Sequence, residues 1–235
     1  MEINQLKKIL VKFGDKVKFN YDLKKKNWFN IGGKTKVFYK AENLKELVDF
    51  LQKIDNKEKI FVLGAGSNTL ISDDLFDGVV IKLSKNFNNI SLLGEDIIIA
   101  GSAVVDKFLS DFAMNNNLSG FEFLSCIPGT IGGGIKMNAG CFGNEFKDIL
   151  LSIQVIDKTG KVRTILSKDI KFEYRKNDLS NDLIFLSASF KGVKSEFSKI
   201  KKETTKLKKE KEKNQPTQIK TSGSTFKNPI HQTQK

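Results

Sequence analysis

Two glycine-rich runs limit what this chain can fold into. They are LGAGSN, residues 63–68, and IPGTIGGGIKMNAG, residues 127–140. Glycine has no Cβ, so the chain can turn at positive φ there and bring its N–H groups against a ligand. Successive exposed N–H groups bind anions such as the pyrophosphate of a dinucleotide. Either run alone is compatible with an ordinary tight turn. Together they predict a large cofactor that carries phosphate.

The residues before the first run have a strand–helix–strand pattern. Residues 36–42 alternate as a strand does, Asn43 is placed to cap a helix, and the apolar run 60–63 predicts a second strand that leads into LGAGSN. The predicted apolar face of the helix consists of Leu44, Leu47, Val48 and Leu51. This is βαβ order, although the run lacks the GxGxxG pattern of dinucleotide-binding folds.

Later segments predict an α+β half that is rich in antiparallel sheet. β-branched residues predict strands at 78–84 and 95–103, and 182–190 is a further strand. Residues 149–166 indicate a hairpin that turns at Thr159-Gly160. Two amphipathic helices are expected. The first spans 104–117, and its predicted buried face consists of Val105, Phe108, Leu109 and Phe112. The second spans 191–213, and its predicted buried face consists of Val193, Phe197, Ile200, Thr204 and Leu207. A short amphipathic helix is expected at the N-terminus.

The chain carries a formal charge of +13, nearly all of it lysine, since Arg163 and Arg175 are the only arginines. The lysines are spread along the chain and the densest run, 199–213, is interleaved with glutamates. This disfavours nucleic-acid binding as the main function and favours attraction of anionic metabolites. No apolar run is long enough to cross a bilayer and the N-terminus lacks a signal-peptide pattern, so we expect no membrane partner and a cytoplasmic location.

Cysteine and histidine are too few for a metal or disulfide framework. Cys126 and Cys141 flank the second glycine run, neither belongs to a CxxC pair, and His231 is the only histidine. We therefore expect no metal site and interpret both cysteines as small buried packing residues.

Five motifs in order resemble the UDP-N-acetylenolpyruvoylglucosamine reductase family, from about Asn27 to Pro229. They are NWFNIGG, LGAGSN, LSGFEFLSCIPGTIGGGIKMNAG, FEYR and SGSTFKNP. The resemblance implies an α+β, two-subdomain FAD-binding fold of the vanillyl-alcohol-oxidase type. Its subdomains would span 1–85 and 86–190, and a substrate-binding domain would begin over 191–235.

The resemblance also implies the chemistry. NADPH would reduce a noncovalently bound FAD, and the flavin would then pass hydride to UDP-N-acetylglucosamine enolpyruvate to give UDP-N-acetylmuramate for peptidoglycan. The cofactor-binding residues carried over are Gly64, Ala65, Gly66, Ser67, Asn68, Pro128, Gly129, Thr130, Gly132, Gly133, Asn138, Ala139 and Gly140. The residues that the resemblance assigns to substrate binding are Tyr174, Lys227 and Asn228. A monomer that acts on small molecules is expected.

Two residues match the family's catalytic positions. Arg175 in FEYR would stabilise the developing enolate, because a guanidinium is always charged and binds a carboxylate through two hydrogen bonds. Ser224 in SGSTFKNP would donate the proton. Without the resemblance, Arg175 also fits a surface turn and Ser224 a turn or cap serine.

The chain departs from the family pattern at several points. A catalytic glutamate is expected near the family's C-terminus, whereas this sequence stops at Lys235, so an alternative function is flavin binding with little turnover. Cys126, Lys136 and Asn177 also replace residues that are more usual in the family. An oxidase of the same fold is a weaker alternative, since it would not explain SGSTFKNP.

Overall fold

A computed structural model of the protein describes residues 1–214. Its first sheet has the strand order β1-β2-β4-β3, in which β1 runs antiparallel to β2 while β2 and β3 run parallel to β4. The strands are β1 (Val17–Asp22), β2 (Lys34–Ala41), β3 (Ile60–Val62) and β4 (Phe76–Leu83). The helix α1 (Ile3–Leu10) precedes them and α2 (Leu44–Leu51) joins β2 to β3. The predicted βαβ order is therefore confirmed.

The helix α2 begins where its sequence indicates. The side chain of Asn43 accepts a hydrogen bond from the Glu46 amide at 2.9 Å, which satisfies one of the free donors of the first turn. Its buried face differs from the prediction. Leu44 is 38% exposed, and Phe50 is fully buried instead, with its ring stacked on Tyr39 at 3.9 Å between centroids.

The second sheet has the order β11-β10-β14-β6-β5, and all its strands are antiparallel. Its strands are β5 (Ile90–Leu93), β6 (Ile97–Gly101), β10 (Leu150–Ile156), β11 (Val162–Leu166) and β14 (Ile184–Lys191). The predicted hairpin turns at Gly160, whose φ of +87° is a conformation that glycine tolerates best. Strand β5 was not predicted, because its four residues, ISLL, are too few to show a clear alternation of apolar and polar side chains.

Two helices differ in detail from their predictions. The helix α3 (Asp106–Asn115) buries Asp106, Leu109, Ser110 and Ala113, whereas Phe108 is 56% exposed. The asparagine run ends it, with Asn117 at a φ of +58°. The helix α6 (Phe197–Asn214) begins six residues later than expected. Val193 lies instead in a short exposed strand, although Ile200, Thr204 and Leu207 are buried as predicted.

Short elements complete the described chain. They are β7 (Leu118–Ser119), α4 (Ile131–Lys136), β8 (Gly140–Cys141), β9 (Asn144–Glu145), α5 (Phe146–Ile149), β12 (Phe172–Glu173), β13 (Lys176–Asn177) and β15 (Val193–Lys194). Five 3₁₀ segments also occur within residues 1–214, and one of them, Glu122–Cys126, comes just before the second glycine run. Within residues 1–214, no helix is both long and apolar enough to cross a membrane.

The two sheets have separate apolar cores with a shared boundary. One core is formed by β6, β10, β14 and the helices packed on them, and the other by α1, α2 and the first sheet. Ile156, Ile184 and Leu186 come from the second sheet but pack in the core formed by α1, α2 and the first sheet. The predicted subdomain limits at residues 85 and 190 stay predictions.

Candidate functional site

The first glycine run forms a loop directly after β3. Leu63 donates its amide to the carbonyl of Ile81 and so extends the sheet by one bond. The next five amides, residues 64–68, donate no hydrogen bond to any residue of the described chain. A row of unpaired N–H groups is an electropositive surface that suits an anion.

Gly66 holds this loop against the N-terminal motif. Its φ is +71°, its carbonyl accepts a hydrogen bond from the Trp28 amide at 3.0 Å, and a Cβ here would lie 2.3 Å from the Lys26 carbonyl oxygen. Only glycine allows this approach. The motif itself is braced by Asn27, whose buried amide donates to the carbonyl of Ile31 at 2.7 Å.

The second glycine run is held by the segment before α3. The amides of Ile131 and Gly132 donate to the carbonyls of Val104 and Ser102, both at 2.9 Å. Three nearby amides, those of Gly129, Thr130 and Gly133, donate to no acceptor within residues 1–214. The start of α4 therefore also presents unpaired donors.

The two loops touch each other. The hydroxyl of Ser67 donates a hydrogen bond to the Pro128 carbonyl. A Cβ on Gly64 would lie 2.5 Å from Thr130 Oγ1, so a side chain at position 64 would have to displace the threonine hydroxyl. Four of the residues predicted from sequence thus meet at one place.

Lys82 is a residue of this site that the sequence analysis missed. Its ammonium donates to the Gly64 carbonyl at 2.6 Å, next to the row of free amides. Burial, together with the nearby Lys26, lowers the pKa of Lys82. The available signal was a lysine inside the otherwise apolar strand GVVIKLS.

Asp106 and Ser102 are buried behind the second loop, and neither was predicted. Asp106 is 0% exposed, both its carboxyl oxygens lack a hydrogen-bond partner in the described chain, and burial raises its pKa well above the usual range. A Cβ on Gly129 would lie 2.6 Å from Asp106 Oδ2, so the carboxyl group lies directly against the loop. The hydroxyl of Ser102 is likewise buried and without a partner in this part of the chain.

The end of the second run forms a tight turn. The buried side chain of Asn138 donates to Glu145 Oε2 at 2.9 Å and to the Glu173 carbonyl at 3.1 Å, and it accepts from the Lys147 amide at 3.1 Å. These bonds give Asn138 a structural role in the turn. Its predicted contact with the cofactor, and those of Ala139 and Gly140, stay predictions.

Arg175 lies beside this turn. Its guanidinium donates to the Gly140 carbonyl at 2.6 Å and to that of Asn138 at 3.3 Å, and it lies 4.8 Å above the ring of Tyr174. Glu145, which the sequence analysis did not single out, is 3.7 Å from the same guanidinium. The arginine is only partly buried, so its remaining donors can face a ligand.

The other predicted residues are placed as follows. Asn177 donates to the carbonyls of Ile135 and Lys136 and so caps the end of α4, and Lys136 donates to the Leu179 carbonyl at 2.8 Å. Ser224, Lys227 and Asn228 lie outside the described residues. Among residues 1–214, no cluster of three or more His, Cys, Asp or Glu side chains could hold a metal ion.

The site fits the predicted FAD. Unpaired amides from both loops suit the pyrophosphate, and Gly64 and Gly66 let the first loop pack closely against Thr130 and Lys26. Phe29, Ile31 and Leu70 are exposed beside the first loop and offer apolar surface to a ring system. The fit depends on main-chain atoms more than on side chains.

Comparisons with known proteins agree with this geometry. Residues 35–166 match the FAD binding domain family. The chain is 64% identical, over all 235 residues, to the UDP-N-acetylenolpyruvoylglucosamine reductase of Pelagibacter ubique and covers 78% of that protein. It superposes on the UDP-N-acetylenolpyruvylglucosamine reductase of Thermus caldophilus with a TM-score of 0.79 at 29% identity, covering 88% of this chain and 73% of that one.

A more distant structure shows the fold alone. The structure of p-cresol methylhydroxylase superposes on this chain with a TM-score of 0.56 at 15% sequence identity. The superposition covers 82% of this chain and 44% of the p-cresol methylhydroxylase chain. Together with the family match, this confirms the predicted fold class, an α+β FAD-binding fold of the vanillyl-alcohol-oxidase type.

Replacing Gly64 by alanine tests the contact between the loops. In Gly64→Ala the new methyl group collides with Thr130 Oγ1, and we expect FAD affinity to fall about tenfold to a hundredfold, the effect of 1–3 kcal/mol of overpacking. The double variant Gly64→Ala/Thr130→Ala removes the colliding atom and should recover most of the loss relative to Thr130→Ala alone. Flavin fluorescence titration measures all four affinities, and additive losses would contradict the contact.

Asp106 predicts a pH dependence of stability in the FAD-free protein. Because its pKa is raised on folding, the folded state holds the proton more tightly, so the free energy of unfolding falls as pH rises above the ordinary pKa of 3.8. We expect Asp106→Asn to be more stable than the parent at pH 7.5 by about 1–3 kcal/mol and to lose this advantage near pH 4. Urea unfolding at both pH values measures this, with Asp111→Asn on the same helix as the control. If the free energy of unfolding of Asp106→Asn and of the parent changed equally with pH, this prediction would be wrong.

Proposed function

The chain belongs to the UDP-N-acetylenolpyruvoylglucosamine reductase family, and from this premise we propose that it binds FAD and reduces UDP-N-acetylenolpyruvoylglucosamine to UDP-N-acetylmuramate with electrons from NADPH. The product is a peptidoglycan precursor. The proposal places the protein in the cytoplasm, where nucleotide-linked sugars and NADPH are found. It acts as a monomer on small molecules and requires neither nucleic acid nor a membrane.

The observation that carries the proposal is the contact between two loops with free amides. In the proposal they hold FAD through Gly64, Ala65, Gly66, Ser67 and Asn68 of the first loop and Pro128, Gly129, Thr130, Gly132 and Gly133 of the second. Asn138, Ala139 and Gly140 shape the turn that closes the second run. FAD, when bound, supplies the two-electron hydride chemistry that no amino-acid side chain can perform.

Arg175 is proposed to manage the negative charge of the reaction. Two of its donors are used by main-chain carbonyls of the turn, which fixes the guanidinium at the end of the second run. An orientation fixed before the reaction costs no rearrangement when charge develops on an enolate conjugated with the substrate carboxylate. Tyr174, whose ring lies under the guanidinium, helps to orient it.

The remaining roles are proposed from the family motif. Ser224 donates the proton that completes the product, and Lys227 and Asn228 contact the substrate. A serine hydroxyl is a weak acid, so it protonates only a strongly basic carbon and needs neighbours that stabilise the alkoxide. Lys227 is such a neighbour in the sequence.

Anaerobic stopped-flow kinetics of the FAD-loaded protein test the proposal. We expect NADPH to bleach the oxidised flavin absorbance and UDP-N-acetylenolpyruvoylglucosamine to restore it. In Arg175→Lys the first step should stay within about threefold of the parent, while the second should slow about 10²- to 10³-fold, as when one preorganised donor is lost.

The possible outcomes separate the alternatives. Equal rates in both steps for Arg175→Lys would contradict the role of Arg175. Flavin binding without any reaction of the enolpyruvyl compound in the parent would contradict the reductase proposal and leave a flavin-binding protein without turnover. Arg163→Lys, which changes the only other arginine, is the matched control.

A further inference from the structure

Glu145 lies between Arg175 and the turn that ends the second glycine run. In β9 it pairs with Gly140 of β8, the residue whose carbonyl accepts from the guanidinium at 2.6 Å. One oxygen of its carboxylate, Oε1, is 3.7 Å from Arg175 Nη1, and the other, Oε2, accepts from the side chain of Asn138 at 2.9 Å. The carbonyl of Asn138 accepts from the same Nη1 at 3.3 Å. Glu145 and Arg175 are therefore both tied to the same two residues of the turn.

The side chain of Glu145 is itself held in place. It accepts a hydrogen bond from the Asp148 amide, while the Glu145 amide donates to Asp148 Oδ2 at 2.7 Å, so the two residues form a capping box at the start of α5. The Lys147 ammonium is 2.9 Å from Glu145 Oε2, and the glutamate side chain is only 19% exposed. A side chain with these partners keeps one rotamer and can in turn fix a neighbour.

Capping of α5 alone does not explain why this residue is a glutamate. Shorter side chains, those of Ser, Thr, Asp and Asn, are preferred at the start of a helix. The longer glutamate also reaches the guanidinium, and within residues 1–214 it is the only carboxylate that forms an ion pair with Arg175. Arg175 has a φ of +57°, a conformation that non-glycine residues keep where surrounding contacts impose it. The contacts of the turn and of Glu145 supply that constraint.

We propose that Glu145 is a positioning residue that orients the Arg175 guanidinium for the reduction of the enolpyruvyl substrate. The inference rests on the proposed function, in which Arg175 stabilises the negative charge of the enolate. A guanidinium that is held by two carbonyls and one carboxylate has a fixed orientation before the charge develops, so the reaction requires no rearrangement of it. Glu145 acts through Arg175 and is not itself a catalytic residue.

The charge of Glu145 is partly compensated, which preserves the positive field of Arg175. A lone carboxylate 3.7 Å from the guanidinium would weaken its attraction for an anionic substrate. The Lys147 ammonium offsets this effect, and the three side chains together carry a net positive charge. Positioning and electrostatics thus predict opposite results for Glu145→Gln. Loss of the negative charge alone would speed the reaction with the substrate, whereas loss of the orientation would slow it.

Arginine side-chain NMR of the full-length chain tests the positioning directly. Arg175 and Arg163 are the only arginines, so the two Nε–Hε signals are readily assigned, and Arg163, which is exposed on β11, is the internal reference. With and without FAD, we expect the Nε–Hε order parameter of Arg175 to be clearly higher than that of Arg163. In Glu145→Gln it should fall toward the value of Arg163. Glu173→Gln, a matched control whose side chain pairs with lysines and not with Arg175, should leave it unchanged.

The two steps of the FAD-loaded chain test the consequence for the reaction. In Glu145→Gln, flavin reduction by NADPH should match the parent, and flavin reoxidation by UDP-N-acetylenolpyruvoylglucosamine should slow about tenfold to a hundredfold, the cost of a misplaced catalytic group. The double variant Glu145→Gln/Arg175→Lys should be no slower than Arg175→Lys alone, because a residue that acts through Arg175 has no effect once that arginine is gone. Glu173→Gln should keep the parent rate in both steps.

Three results would overturn the inference. They are an Arg175 side chain as mobile as that of Arg163 in the parent, an unchanged Arg175 order parameter in Glu145→Gln, and reoxidation in Glu145→Gln as fast as in the parent or faster. The first of these does not depend on the folding of any variant. A parent that binds FAD but does not react with the enolpyruvyl compound would contradict the proposed function instead, and the NMR comparison would still decide whether Glu145 orients Arg175.

Discussion

The contact between the two glycine loops is the interaction on which the rest of the site depends. It consists of a hydrogen bond from Ser67 to the Pro128 carbonyl and the approach of Gly64 to Thr130, where a Cβ on Gly64 would lie 2.5 Å from the threonine hydroxyl oxygen. Each loop is anchored separately, the first by Trp28 and Lys82 and the second by the segment that precedes α3. The contact therefore joins the two sheets where both loops present unpaired amides.

Buried polar groups around this contact indicate a ligand site rather than a pair of ordinary turns. An unsatisfied buried polar group costs about 1–3 kcal/mol, and a charged group costs more. The Asp106 carboxyl and the Ser102 hydroxyl both lack partners in the described chain, and Lys82 is drawn into a partly buried position beside the first loop. Such costs in a protein of ordinary stability are more readily explained by function than by packing.

Sequence reasoning predicted the secondary-structure elements around the site better than the buried side chains within it. Asn43, the apolar run before LGAGSN and the turn at Gly160 each carry a local physical signal, and the structure confirmed all three. Lys82, Asp106 and Glu145 were missed because their importance comes from neighbours distant in the chain. The buried faces of α2 and α3 were partly wrong for the same reason, since periodicity does not say which side of a helix another element covers.

Hydrogen exchange of the backbone amides, measured with and without FAD, tests the central claim most directly, because it reads the main-chain donors themselves. If both loops bind one cofactor, FAD should slow exchange at residues 64–68 and at residues 129–133 together, with the same dependence on FAD concentration. Protection of only one loop, or of neither, would contradict the account.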